Sequence, residues 1–334
     1  MKGLYEVNIQ NKRIRYQFTI KRNITIIRGD SATGKTKLLE MIEAFSREGR
    51  SSGVELKCDV PCVVLHGGDW KQRLDYIHNS LVFIDECNSF IRQEAFASEV
   101  KYSDNYFILV TRDDLPNLSY SVEEIYGIRL SKQYAGLKQT YNELYHLYGE
   151  YENVFVEQPK KLLVEDSNSG YDFFRKLIVK GISCDTARGK SNIYRILLQN
   201  KSDEKCAVVA DGAAFGSEME RIIQLIESGR AIALYLPESF EWMILKSDIL
   251  DDKETRDILS HPEDYIESEK YSSWEQYFTK LLISKTVGTY LKYQKDFINK
   301  NYLQEKIARQ IIDVFPDRMQ KLFVPEKNVE SLSD

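Results

Sequence analysis

The 334-residue sequence has no apolar run approaching the roughly 20 residues that a membrane-crossing helix needs. Its first residues, Met1-Lys2-Gly3-Leu4-Tyr5-Glu6, lack the apolar core of a signal peptide. Both absences predict a cytoplasmic chain without a membrane partner. Cysteine is sparse: Cys58, Cys62, Cys87, Cys184 and Cys206 are scattered, which suits reduced thiols rather than a disulfide framework. No second Cys/His pair lies near Cys58 and Cys62 at zinc-like spacing. Basic residues are not in excess either. With 46 Lys+Arg against 51 Asp+Glu, the net charge of −5 excludes a global pull toward nucleic acid, though not a local basic groove. Internal repeats and low-complexity linkers are missing as well. What is present is a globular composition, 43% hydrophobic and 29% charged, long enough for two domains with their own cores.

The most informative stretch runs from Ile24 to Leu39. An apolar strand, Ile24-Thr25-Ile26-Ile27-Arg28, feeds Gly29-Asp30-Ser31-Ala32-Thr33-Gly34-Lys35-Thr36-Lys37, and Leu38, Leu39, Met41, Ile42 and Phe45 follow at helical spacing. This is the G-x-x-x-x-G-K-T pattern of Walker A. Gly29 and Gly34 permit a turn whose N–H groups point inward at phosphate oxygens, and the following helix N-terminus adds its positive end. Lys35 is expected to neutralise the β- and γ-phosphates, and the Thr36 hydroxyl to ligate Mg²⁺. The expected ligands are therefore ATP or GTP with Mg²⁺.

Residues 4–9 and 13–20 alternate around Asn11-Lys12 as a β-hairpin, and residues 60–65 read as a buried strand. Leu81-Val82-Phe83-Ile84-Asp85-Glu86 has the Walker B form, an apolar strand ending in two acids. Asp85 is expected beside the phosphate loop, holding Mg²⁺ through water, and Glu86 is placed to act as general base on the attacking water. A third strand, Tyr106–Val110, ends at Thr111 and Arg112, either of which is a candidate γ-phosphate sensor. Hairpin, Walker A and Walker B together resemble the ATP-binding-cassette and related P-loop ATPases. The run from Leu65 to Leu74 is similar to a decayed cassette signature, and a strand-ending turn is the other reading of it. The separation of 50 residues (85 − 35) between Lys35 and Asp85 points to a compact P-loop domain with a short insert.

Tyr134, Tyr141, Tyr145, Tyr148 and Tyr151 recur at spacings of mostly three, four and seven, which predicts a helical connector over 131–157 with an aromatic stripe. Strand–helix alternation then resumes. Strands are expected at 162–165, 182–186, 207–211 and 231–236, with helices over 170–180, 193–198 and 217–228, an order that predicts a small, mostly parallel sheet. Two of these strands end in acids, Glu165 and Asp211.

Leu163-Val164-Glu165, the later strand ending at Asp211, and the segment Glu238–Leu245 resemble a Toprim domain. Joined to an ATPase in this order, they are similar to the overcoming-lysogenization-defect family, whose members join an ATPase to a Toprim nuclease; a phage-defence nuclease is one expectation that follows. The resemblance implies a metal ligand or acid/base role for Glu165 and an Mg²⁺-ligand role for Asp211. It departs at the family's D-x-D, which reads Asp211-Gly212-Ala213 here. Asp166, Asp185, Glu218 and Glu241 are candidates for the missing acid. Gly212 and Gly216 suggest a tight loop against a ligand or another backbone, and an ordinary strand-to-helix connection explains them equally well.

The expected organisation is α/β throughout: a P-loop NTPase parallel sheet over 1–130, the connector 131–157, a Toprim-like domain over 158–250 and a helical region over 251–334. Residues 325–334 read as a polar tail. The expected function is nucleotide hydrolysis joined to action on nucleic acid. The other reading is a nucleotide-dependent switch that recruits a protein partner. A second copy could supply an arginine finger, for which Arg112, Arg129 and Arg188 are candidates.

Overall fold

The computed structural model describes residues 1–29, 34–131, 139–149, 151, 156–201 and 204–323. Asp30, Ser31, Ala32, Thr33, Tyr134 and the tail 325–334 lie outside the described residues. The chain is α/β and divides into two compact units, Met1–Tyr148 with His261–Ser273, and Gly149–Ser260 with Trp274–Asp334.

The first unit is built on nine strands: β1 (Tyr5–Gln10), β2 (Ile14–Ile20), β3 (Ile24–Arg28), β4 (Glu55–Lys57), β5 (Cys62–Val64), β6 (Leu81–Asp85), β7 (Tyr106–Val110), β8 (Ile125–Leu130) and β9 (Thr140–His146). Their order in the sheet is β4-β1-β2-β9-β8-β3-β7-β6-β5. The hairpin β1–β2 is antiparallel as expected. The run β8-β3-β7-β6-β5 is parallel throughout. Helices α1 (Lys35–Glu48), α2 (Trp70–Leu74) and α3 (Glu94–Val100) follow β3, β5 and β6.

The two outermost strands of this sheet, β4 and β5, are joined by only residues 58–61. Five Cα steps span at most about 19 Å. A flat sheet of nine strands would separate its edges by about 38 Å. The sheet therefore curves, and α1 fills its concave side. Leu38, Leu39, Met41 and Ile42 of α1 share one buried cluster with Val7, Ile9, Phe18, Ile20, Ile27, Phe83 and Ile108 from five of the strands. Burial of that apolar surface is the main force holding the helix against the sheet.

The helical connector expected over 131–157 is corrected. Residues 140–146 form β9, which pairs antiparallel with β8 and parallel with β2. Tyr141 and Tyr145 sit on this strand, where Arg15 and Arg129 lie over their rings. A spacing of four is as compatible with alternate strand positions as with helix turns, so tyrosine spacing alone did not separate the two.

The segment 261–273, read from sequence as part of the C-terminal helical region, packs with the first unit. Ser268 Oγ accepts from the Met1 ammonium (2.8 Å) and donates to Ser103 O (2.7 Å), and Asn23 Nδ2 donates to Tyr271 O (3.0 Å).

The second unit has a four-stranded, fully parallel sheet of β10 (Lys161–Val164), β11 (Ser183–Thr186), β12 (Cys206–Val209) and β13 (Ile232–Tyr235), in the order β11-β10-β12-β13. Helices α4 (Ser169–Leu177), α5 (Lys190–Gln199) and α6 (Met219–Glu227) connect the strands. Then come α7 (Phe240–Lys246), α8 (Lys253–Ser260), α9 (Trp274–Thr286), α10 (Glu305–Ile312) and α11 (Asp317–Gln320). Phe174 of α4 packs against Phe240, Phe315 and Phe323, which ties the C-terminal helices to the sheet layer.

Candidate functional site

In the first unit, strand register decides which side chains meet. Ile27, Val110 and Asp85 form one row across β3, β7 and β6. Ile27 and Val110 belong to the cluster around α1, as do Leu81 and Phe83, which precede Asp85 at alternate positions. Side chains alternate along a strand, so Asp85 lies on the α1 face, at the carboxyl end of its strand. It is half-buried. One strand, β7, separates β6 from β3. Val110 fills the intervening position in that row. Thr111, the next residue, is wholly buried; its N–H donates to Ile27 O (3.1 Å) and its Oγ1 accepts from Asp113 N (3.1 Å).

Gly29 (φ 137°) and Gly34 (φ 95°) occupy the region that favours glycine, as the turn requires. A Cβ on Gly34 would sit 2.8 Å from the Tyr16 hydroxyl, which itself donates to Gly34 O (2.9 Å). No side chain caps α1 among the described residues, and a helix start of this kind favours an anion. Lys35 is buried and its ammonium folds back to donate to Gly29 O, bridging the two ends of the loop. Thr36 is exposed on the first turn. Lys37 is exposed and pairs with Glu40 (2.9 Å) along the helix surface.

Glu86 stands just past Asp85, with Arg112 Nε 3.7 Å from its carboxylate. Asn88 closes the turn, donating to Asp85 O (3.1 Å) and accepting from Gly67 N (3.2 Å). The His66-Gly67-Gly68 run is thus a loop stitched to the β6 turn, and Trp70 beyond it stacks on Phe90 in the core. Behind the loop, buried Arg28 binds Asp114 (2.6 Å) and Tyr148 (3.1 Å). Of the arginine-finger candidates, Arg129 is held by Glu143 (2.8 Å), Arg112 faces Glu86, and Arg188 is exposed at a left-handed position (φ 55°) before α5.

In the second unit, β10 leads through α4 to β11 on one side, while β12 lies on the other. The carboxyl ends of β10 and β12 therefore flank a topological switch point, where open α/β sheets leave a crevice. Val164 pairs with Val209, so Glu165 and Asp211 emerge at that crevice together. Glu165 Oε2 accepts from Asp211 N (3.0 Å). Burial, reinforced by Glu275 and Asp166, pushes the Glu165 carboxyl up to about 7 against the pull of Lys190. Burial, Glu275, Glu165, Glu241 and Asp166 together hold Asp211 well above the usual carboxylate range. Lys190 opens α5, donates to Ala214 O (2.6 Å), and is lowered by burial although Glu165, Glu218 and Glu275 oppose this.

The candidates for the missing acid separate clearly. Asp166 caps the approach to α4, accepting from Asn168 N and Gly170 N (both 2.9 Å). Asp185 pairs with Lys161 (3.6 Å) on the outer strand. Glu241 is buried and accepts from the Tyr293 hydroxyl (2.8 Å). Glu218 is buried beside Lys190, and its Oε2 has no hydrogen-bond partner among the described residues. Sequence reasoning missed Lys190, Tyr293, Lys295 and Glu275. Glu275, on α9, acts on Glu165, Asp211 and Glu241, and pairs with Lys295 (2.7 Å). Only Lys190 carried a signal, a lysine directly after a glycine where a strand turns into a helix.

Among the described residues, no three His, Cys, Asp or Glu side chains close into a metal cage. Two neighbouring carboxylates and an orphaned carboxylate oxygen nonetheless suit a hard cation that keeps most of its shell for water and phosphate. Gly212 is explained by another backbone. Its N–H donates to Pro237 O (2.6 Å), and a Cβ there would overlap the Leu236 carbonyl and lie 3.0 Å from Pro237 O. Gly212→Ala is therefore expected to lower stability by about 1–3 kcal/mol, read from urea unfolding midpoints.

No known family model, curated protein or solved structure matches this chain.

Proposed function

We propose that this chain is a Mg²⁺-dependent nucleoside triphosphatase of the P-loop class. In the second unit, we read the sheet as Toprim-like, with Glu165 and Asp211 holding a divalent cation for phosphodiester chemistry on nucleic acid. The observation that carries the first part is the shared row of Ile27, Val110 and Asp85, which sets an acid on the α1 face level with the loop that opens α1. The uncapped helix start and the Lys35 ammonium supply the positive field for a triphosphate. Thr36 and Asp85 are the residues that would hold Mg²⁺, whose charge neutralises the phosphates when bound. Glu86 would take the proton of the attacking water, with Thr111 or Arg112 sensing the γ-phosphate.

Lys35→Ala is expected to weaken Mg–ATP or Mg–GTP binding about 10- to 100-fold, the loss of one charge-assisted contact. Calorimetry with both nucleotides, with and without Mg²⁺, measures it. Magnesium-independent or absent uptake by the unmodified protein would overturn the proposal.

One observation favours a second reading, a nucleotide-dependent switch that recruits a protein partner. Ala213 is buried and its N–H donates to Glu238 O (3.3 Å), so the position of the family's second aspartate points into packed structure. Plasmid nicking with Mg²⁺ or Mn²⁺ separates the two: cleavage lost in Asp211→Asn supports the nuclease, and no cleavage supports the switch.

A further inference from the structure

We propose that the loop between α9 and α10, residues 287–304, is a stacking platform for single-stranded nucleic acid, set at the rim of the carboxylate crevice. The inference rests on the reading of that crevice as a phosphodiester site, and supplies its substrate class.

Local charge is the first argument. In a chain of net charge −5, the stretch 280–306 carries Lys280, Lys285, Lys292, Lys295, Lys300 and Lys306 against only Asp296 and Glu305. Lys285 and Lys295 are engaged with Asp252, Glu254 and Glu275, while Lys292 and Lys300 stand exposed. A positive rim beside an acidic crevice is what a polyanion approaching those carboxylates requires.

The second argument is two large rings held in water. Tyr290 is 64% and Phe297 57% exposed, although each neighbours a buried residue, Leu291 and Ile298. The backbone that carries them is pinned. Asn299 Nδ2 donates to Tyr290 O (2.9 Å) and Lys292 O (3.1 Å), Asn301 Nδ2 to Tyr290 O (2.7 Å), and the buried Tyr302 hydroxyl to Leu291 O (2.6 Å). Rings displayed on a fixed backbone stack on bases without first paying for loop ordering. Only an unpaired strand offers base faces to them, which selects single strands over duplex.

The third argument is continuity with the crevice. The inward residue Tyr293 donates to Glu241 and contacts Ser169 Oγ (2.7 Å). Lys295 O accepts from Ser169 N (3.1 Å), and the Lys295 ammonium, raised by Glu275, Glu241 and Asp211 against its burial, reaches the acidic group. Phe297 follows two residues later, within about 8 Å of chain. A strand stacked on that ring is thus held by the same loop that touches the crevice through Tyr293 and Lys295.

The test is fluorescence anisotropy of the full chain with labelled oligothymidylate, oligouridylate and a duplex of equal length, in EDTA so that no cation contributes. Single strands are expected to bind more tightly than duplex. Tyr290→Ala and Phe297→Ala are each expected to weaken binding about 5- to 100-fold, with Phe297→Tyr restoring it. Lys292→Glu with Lys300→Glu should flatten the salt dependence. Both rings are exposed, so unchanged thermal melts check that the variants fold. Alanine variants that bind like the parent, or a preference for duplex, would overturn the platform. Ring-dependent binding without metal-dependent cleavage would overturn the phosphodiester reading alone.

Discussion

Glu86→Gln is expected to lower the rate of nucleotide hydrolysis about 100- to 10,000-fold while leaving Mg–nucleotide affinity within a few-fold. General-base assistance is worth about that factor, equivalent to roughly 3–5 kcal/mol of barrier. Glutamine keeps the shape and the hydrogen-bonding reach of the side chain but cannot accept the proton of water. The loop Gly29–Gly34, Lys35 and Asp85 are untouched by the change, so ground-state binding should persist. The partner lost is Arg112, 3.7 Å away in an exposed pair, and such pairs contribute little to stability. Single-turnover hydrolysis measured beside calorimetric affinity reads both quantities. Normal hydrolysis by Glu86→Gln would place the base elsewhere.

Glu165→Gln is expected to make the protein more stable above pH 7, by up to about 3 kcal/mol. The sign follows from proton counting. Burial raises the Glu165 carboxyl from 4.5 to about 7 in the folded chain. Between those values the native state holds a proton that the unfolded state has released, so stability falls as pH rises through that window. A displacement of that size corresponds to about 3 kcal/mol. Asp211, raised by burial and its acidic neighbours, adds in the same direction. Glutamine remains neutral throughout, and its amide oxygen can still accept from Asp211 N. Urea midpoints should therefore coincide near pH 4 and diverge by pH 8. A variant no more stable than the parent at pH 8 would show that the crevice does not strain the carboxylate. Millimolar Mg²⁺ or Mn²⁺ should stabilise the parent more than the variant at pH 8, since a cation bound only by the native state shifts the equilibrium toward it.

The candidate site was legible where chemistry is local in the chain. The loop from Gly29 to Lys35 needs glycine conformations and a following helix, all encoded within a dozen residues, and both glycines do adopt positive φ. Asp85 and Glu86 were marked by the apolar run that ends at them. Glu165 and Asp211 were marked in the same way. Less was legible where a residue type serves two structures. Tyr141 and Tyr145 have the spacing of a helical stripe, yet they lie on β9, because pairing with both β8 and β2 outweighs a spacing that fits either period.

By itself, the sequence determined the α/β alternation, the apolar strands with their terminal acids, and the glycine-bounded loop, because each depends on side-chain periodicity and backbone freedom over short spans. Only the tertiary structure decided that β7 stands between β3 and β6, that the sheet curves around α1, that 261–273 packs with the first unit, and that Glu275 and Lys295 join the crevice of Glu165 and Asp211. Those are contacts between segments distant in sequence. They are selected by how apolar faces and charges can be buried together, and no local pattern records that.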